Sequence, residues 1–132
     1  MKKLVFVFIA VFAMLASCSK DDDSTPTPET SIVGKWEIYE QGLVGDTPTT
    51  VIPTCATNRD YVEFEASRAG SWGNYNAGCE LSSSSFTWTL EGDELHYGTG
   101  DYEYFKILEL TNTNLTIQWV ENQTNVYYQK AE

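Results

Sequence analysis

From Ile32 to the C-terminus, large apolar residues fall at every second position of short segments, and that two-residue period admits only an extended backbone. Successive side chains of a strand point to opposite faces, so the alternation sends one set into a core and the other into solvent. Phe86, Trp88 and Leu90 alternate with Ser85, Thr87 and Thr89. Leu115, Ile117 and Trp119 alternate with Thr116 and Gln118, and Val62 and Phe64 with Glu63 and Glu65. Ile32, Gly34, Trp36 and Ile38 share one face of the first segment. The pattern predicts eight strands, near 32–40, 60–67, 70–76, 84–91, 94–98, 103–110, 114–120 and 124–130, and an all-β fold. Phe105, Ile107, Leu108 and Leu110 cannot share one face of a regular strand, which predicts a bulge near Ile107-Leu108. The inward set expected is Trp36, Ile38, Val62, Phe64, Trp72, Phe86, Trp88, Leu95, Tyr97, Leu108, Leu115, Ile117, Trp119 and Tyr128.

The connections are short. Glu91-Gly92-Asp93-Glu94 and Leu110-Thr111-Asn112-Thr113-Asn114 read as hairpin turns. Consecutive antiparallel strands, each with one apolar face, favour an up-and-down meander, and eight of them remove their exposed edges by closing into a barrel. A two-sheet β-sandwich is the alternative.

The N-terminus has a different logic. Lys2 and Lys3 precede an apolar run from Leu4 to Ala16, too short for a permanent span of about 20 residues and the right length for a signal-peptide core. Leu15-Ala16-Ser17-Cys18 resembles the lipobox of bacterial lipoproteins, which implies cleavage before Cys18 and acylation of its thiol. The alternative is an ordinary secretory peptide cut elsewhere. Ser19-Lys20-Asp21-Asp22-Asp23 resembles a surface-export signal of Bacteroidota lipoproteins, and it also serves as a solvated spacer. The organisation expected is a signal peptide over 1–17, a lipidated cysteine and acidic Pro/Thr tether over 18–31, and a β-domain over 32–132. The location expected is the outer membrane, lipid-anchored and exposed at the cell surface.

Without Lys2 and Lys3 the 8 basic residues fall to 6 against 19 acidic ones, a net charge of −13. Such a surface repels nucleic acid and anionic lipid, so the membrane partner must be reached through the anchor. Cys55 and Cys79 are left in an oxidising compartment, where a disulfide would close a loop worth about 3 kcal/mol. A free thiol pair or a metal site is the competing reading, although His96 is the only histidine and lies far off in sequence.

Gly34-Lys35-Trp36 resembles the Gly-x-Trp signature of lipocalins. Cys55, Val62-Glu63-Phe64, Trp72, Cys79, the stretch from Trp88 to Leu95 and the pair of segments from Phe105 to Leu115 then follow in the order seen in the small lipocalin-like domain of Bacteroidota lipoproteins. The resemblance implies a calycin-type barrel with Gly34 and Trp36 at its floor, and a binding rather than catalytic role. Large lipocalins place an arginine over the signature tryptophan, and Lys130 is the basic residue near that place here.

An eight-stranded barrel either fills its interior with side chains or holds one small ligand. If there is a pocket, Trp72, Phe86, Trp88, Tyr97 and Trp119 are its expected walls, and the segment 41–58 its lid. The ligand expected is small and apolar or amphipathic. The alternative is a filled barrel that binds a protein or glycan through Tyr39, Tyr61 and Tyr127. Chemistry for catalysis is sparse: His96 falls on the outward face between Leu95 and Tyr97, and Glu63, Glu65, Glu91 and Glu94 lie outward or in turns. Asp101, Glu103 and the turn Gly98-Thr99-Gly100 lack the regular spacing of a calcium loop. No enzyme activity, cofactor or metal is expected.

Overall fold

The computed structural model describes residues 31–132; the expected signal peptide, Cys18 and nearly all of the expected tether lie outside them. Nine strands follow in order: β1 Gly34–Leu43, β2 Thr49–Thr50, β3 Tyr61–Phe64, β4 Ala69–Tyr75, β5 Leu81–Glu91, β6 Glu94–Gly98, β7 Glu103–Leu110, β8 Asn114–Trp119 and β9 Thr124–Lys130. Every pairing is antiparallel, and β1 pairs with both β3 and β9. That last ladder closes eight strands into a barrel and removes the sandwich alternative. The ninth strand, β2, adds outside the cycle against Glu40 and Gln41 of β1.

Two irregularities decide which residues face inward. On β7 the register against β8 shifts between Ile107 and Glu109, so the expected bulge is present. Its extra residue is Leu108, which stands 48% exposed and leaves the predicted inward set, while Phe105 joins it at 4%. Ile107 and Leu110, on either side of Leu108, pack against the core. The second bulge, between Ile38 and Glu40 on β1, has no apolar signal in the sequence because Tyr39, Glu40 and Gln41 are all polar or amphipathic. It brings Gln41 opposite Val126 on the inner face and carries β1 three residues past its expected end. Arg59 stabilises the break: its guanidinium donates to the Ile38 and Val51 carbonyls, at 3.1 Å each, and lies over the Tyr39 ring.

Strand β5 begins three residues before expectation, at a serine run with no apolar alternation. The reason lies in the preceding turn. The Asn76 side-chain oxygen accepts from the Gly78 and Glu80 amides, which folds β4 back on β5 and continues the ladder to Tyr75–Leu81. Cys79 in that turn is bonded to Cys55, with Cα atoms 4.9 Å apart, as the export argument anticipates. The bond pins the 51–60 loop to the tip of the β4–β5 hairpin.

Register gives the barrel two ends. At one end lie Gly34, Phe64, Ala69, Glu91, Glu94, Leu110, Asn114 and Lys130; buried side chains close the interior there, and a recess of about 370 Å³ lies at its edge between Ile32, Arg68, Trp88 and Leu110. Trp36, Val62, Phe64, Leu95, Leu115 and Ile117 are no more than 1% exposed. The Trp36 indole donates to the Ile32 carbonyl at 2.7 Å, and the Phe64 ring meets those of Phe86, Trp88 and Tyr97 edge-on. Gly34, at φ +133°, lets the chain enter β1 so closely to Lys130 that a Cβ would sit 2.9 Å from that side chain. Lys130 lies over the Trp36 ring at 5.1 Å, where the resemblance places a basic residue.

Candidate functional site

Above this floor the interior is open. A cavity of about 600 Å³ occupies the end of the barrel where β1, β7 and β9 reach Leu43, Glu103 and Thr124. That volume lies within the range of small-molecule sites. A recess of about 290 Å³ adjoins it and shares Ile38, Gln41, Trp72 and Tyr128 as walls.

The walls come from the inner faces of six strands. β1 supplies Ile38 and Gln41; β4 supplies Trp72; β6 supplies Tyr97. Glu103 and Phe105 project from β7, Trp119 from β8, and Thr124, Val126 and Tyr128 from β9. The aromatic rings form a belt across adjacent strands. Trp72 contacts Phe86 at 4.4 Å between centroids, Phe86 contacts Tyr97 at 5.0 Å, Tyr97 stacks on Phe105 at 4.3 Å, and Phe105 reaches Trp119 at 5.8 Å.

Of the five residues expected as walls, the structure brings Trp72, Tyr97 and Trp119 together around the cavity. Phe86 packs behind Trp72 and Tyr97 and instead borders a shallow depression beside Gly98 and Tyr102. Gly70 makes room for it: a Cβ there would collide with the Phe86 ring. Trp88 belongs to the floor. Its indole donates to the Glu65 and Ala69 carbonyls at 3.2 and 2.9 Å, and Arg68 covers its ring at 4.4 Å. Part of the segment 41–58, expected as a lid, lies in the wall. Gln41, Gly42, Leu43 and Thr49 line the cavity, β2 is hydrogen-bonded to β1, and the Val51 amide donates to the Tyr39 carbonyl at 2.7 Å.

Sequence reasoning missed Phe105 and Glu103. The signal was their spacing: two residues apart on one strand, they share a face, and register sets Phe105 opposite Leu95 and Glu103 opposite Tyr97, both of which point inward. Glu103, the first residue of β7, is thus a solvent-exposed carboxylate at the rim of the cavity. Among the described residues no group of three His, Cys, Asp or Glu side chains gathers to hold a metal. His96 stands on the outer face against Tyr104, with ring centroids 5.0 Å apart.

Two phenols stand among the polar groups of the cavity. Burial pushes the Tyr97 hydroxyl well above the ordinary phenol range, helped by Tyr128 and Glu103, while Trp72 beside it pulls the other way. Burial raises Tyr128 as well. Both therefore stay neutral hydroxyls at physiological pH. The Trp119 indole nitrogen is buried without a protein partner.

With this geometry in hand, comparison with known proteins is informative about fold. A family model described as a lipocalin-like domain matches residues 32–117. A lipocalin-like protein from Bacteroides uniformis ATCC 8492 superposes with a TM-score of 0.61 at 15% identity, covering 75% of this chain and 97% of its own. An uncharacterized protein from Bacteroides eggerthii DSM 20697 gives a TM-score of 0.61 at 15% identity, covering 76% of this chain and 100% of its own. No curated protein matches the chain.

Proposed function

This chain belongs to the lipocalin-like domain family, and from that premise we propose that it is a cell-envelope lipoprotein whose barrel binds one small apolar or amphipathic molecule. The observation that carries the reading is the cavity of about 600 Å³ above a floor of buried side chains. Unfilled volume forgoes dispersion contacts and costs stability, which a bound ligand would offset. Entry is through the open end. Leu43, Val44, Ile52, Leu81 and Tyr102, five of the six large exposed apolar residues among those described, belong to the strand ends and loops at that end. An apolar rim favours a ligand delivered from a lipid or protein surface rather than from dilute solution.

Anchoring through Cys18 at the outer membrane, with the acidic tether holding the barrel clear of the surface, is part of the same proposal and rests on the sequence alone. A surface module that grips a protein or glycan with outer tyrosines draws less support. Tyr39 lies under Arg59 at 3.9 Å and Tyr61 under Lys35 at 4.0 Å, so both rings are already engaged.

Titration of the protein with the neutral fluorophore N-phenyl-1-naphthylamine tests the reading. Saturable one-to-one uptake is expected, weakened at least tenfold by Trp72→Ala and unchanged by Tyr39→Ala. Absence of saturable uptake would remove the ligand-carrier reading.

A further inference from the structure

The described residues contain five basic side chains, and each is already placed. Lys35 lies over Tyr61, Arg59 over Tyr39, Arg68 over Trp88 and Lys130 over Trp36, while Lys106 pairs with Asp93 at 3.4 Å. None of them lines the cavity or its recess. The four tryptophans divide accordingly. The two floor indoles, Trp36 and Trp88, each carry a cation on their ring, whereas the two cavity indoles, Trp72 and Trp119, carry none. Beside that pair stand Tyr97, Phe105 and Tyr128; the one charged group at the cavity wall is the solvent-exposed Glu103 carboxylate, and Asp60 lines the adjoining recess.

We propose that the cavity selects an organic cation, an amine or quaternary ammonium with an apolar body, held by the aromatic belt and countered by Glu103. Ring faces attract positive charge through their quadrupole, and the attraction grows where water is excluded. A carboxylate within the same mouth adds a directional counter-charge. The same features reject an anion. A fatty-acid carboxylate would meet the Glu103 carboxylate with no basic residue in the cavity or its recess to neutralise it. The acidic surface, with 19 acidic against 8 basic residues in the whole chain, steers cations to the mouth and anions away.

The inference rests on the ligand-carrier reading and is tested so that the two can fail separately. All strands and the disulfide lie within residues 34–130, so a chain lacking residues 1–17 and carrying Cys18→Ser keeps the whole barrel without an acyl chain. Octyltrimethylammonium, 1-octanol and octanoate share an apolar body and differ in head charge. Their affinities are read by displacement of N-phenyl-1-naphthylamine at physiological salt. The cation is expected to bind at least tenfold tighter than octanol, and octanoate more weakly than either. Glu103→Gln should bring the cation to within about threefold of octanol and leave octanol unchanged, a result that leaves no room for misfolding. Glu109→Gln, an exposed carboxylate outside the cavity on the same strand, should leave the preference intact. Equal affinity for cation and alcohol, or equal loss in both variants, overturns the cation assignment while the carrier reading stands. Failure of the naphthylamine and all three octyl probes to bind overturns both.

Discussion

Two cross-strand neighbours allow the division of the interior to be weighed against the same insertion. Ile117 on β8 and Val126 on β9 are partners in register and both point inward, but Ile117 is 0% exposed whereas Val126 borders the cavity. Replacing either with phenylalanine adds a ring to the interior. At Ile117 the neighbours are the packed floor, where forcing extra volume typically costs about 1–3 kcal/mol. At Val126 the added volume is on the order of 50 Å³, a small part of a cavity of about 600 Å³, so no rotamer need be displaced. The ring instead covers aromatic wall that now faces solvent. Burying two or three additional carbons at about 0.8 kcal/mol each, less the partial exposure that remains, gives a net gain between zero and about 1 kcal/mol. Urea unfolding followed by tryptophan fluorescence reads both, with an unchanged m-value confirming that only stability has moved. The expected result is a lowered midpoint for Ile117→Phe and an unchanged or raised one for Val126→Phe, with naphthylamine affinity falling in the latter. A loss of more than 1 kcal/mol in Val126→Phe would show that the upper interior is closely packed in solution, and the reasoning from cavity to ligand would fail.

Two further outcomes follow from the groups that frame the cavity. Replacing Cys55 and Cys79 together with serine should lower stability by about 3 kcal/mol, because the bond closes a segment with a sequence separation of 24; loss below 1 kcal/mol in chemical unfolding would mean that the loop is held by Arg59 and β2 alone. Tyr97 and Tyr128 have hydroxyls raised by burial in the folded state, so the folded chain holds protons that the unfolded chain releases near pH 10. Stability from these groups is complete below that pH and declines as pH rises beyond it. Tyr128→Phe should therefore shift the midpoint of alkaline unfolding upward, measured by circular dichroism against phenolate absorbance, and an unchanged midpoint would count against a buried hydroxyl.

Much of the barrel was legible because β-structure writes its faces into adjacent residues. Alternation alone placed Trp36, Val62, Phe64, Leu95, Leu115 and Ile117 inside, and conflict within Phe105–Leu110 located the β7 bulge without naming which residue it expels. The disulfide followed from the cysteine count and an oxidising destination. Alternation fails at Tyr39 to Gln41, where no apolar residue marks the change of phase, and at Leu81 to Ser83, where pairing is imposed by a neighbouring turn.

The position of a residue along the barrel axis belongs to tertiary structure. Trp88 and Trp119 are equally aromatic and equally inward by local pattern, yet register seats one beneath Arg68 in the floor and the other at the mouth. Glu103 reads locally as the first residue of a strand and becomes part of the wall only when β7 lies beside β6 with Glu103 opposite Tyr97. Facing is a property of one strand and its two-residue repeat. Depth, and with it the choice between filled and hollow, depends on the stagger of all eight strands around a closed circuit, a quantity that no segment carries alone.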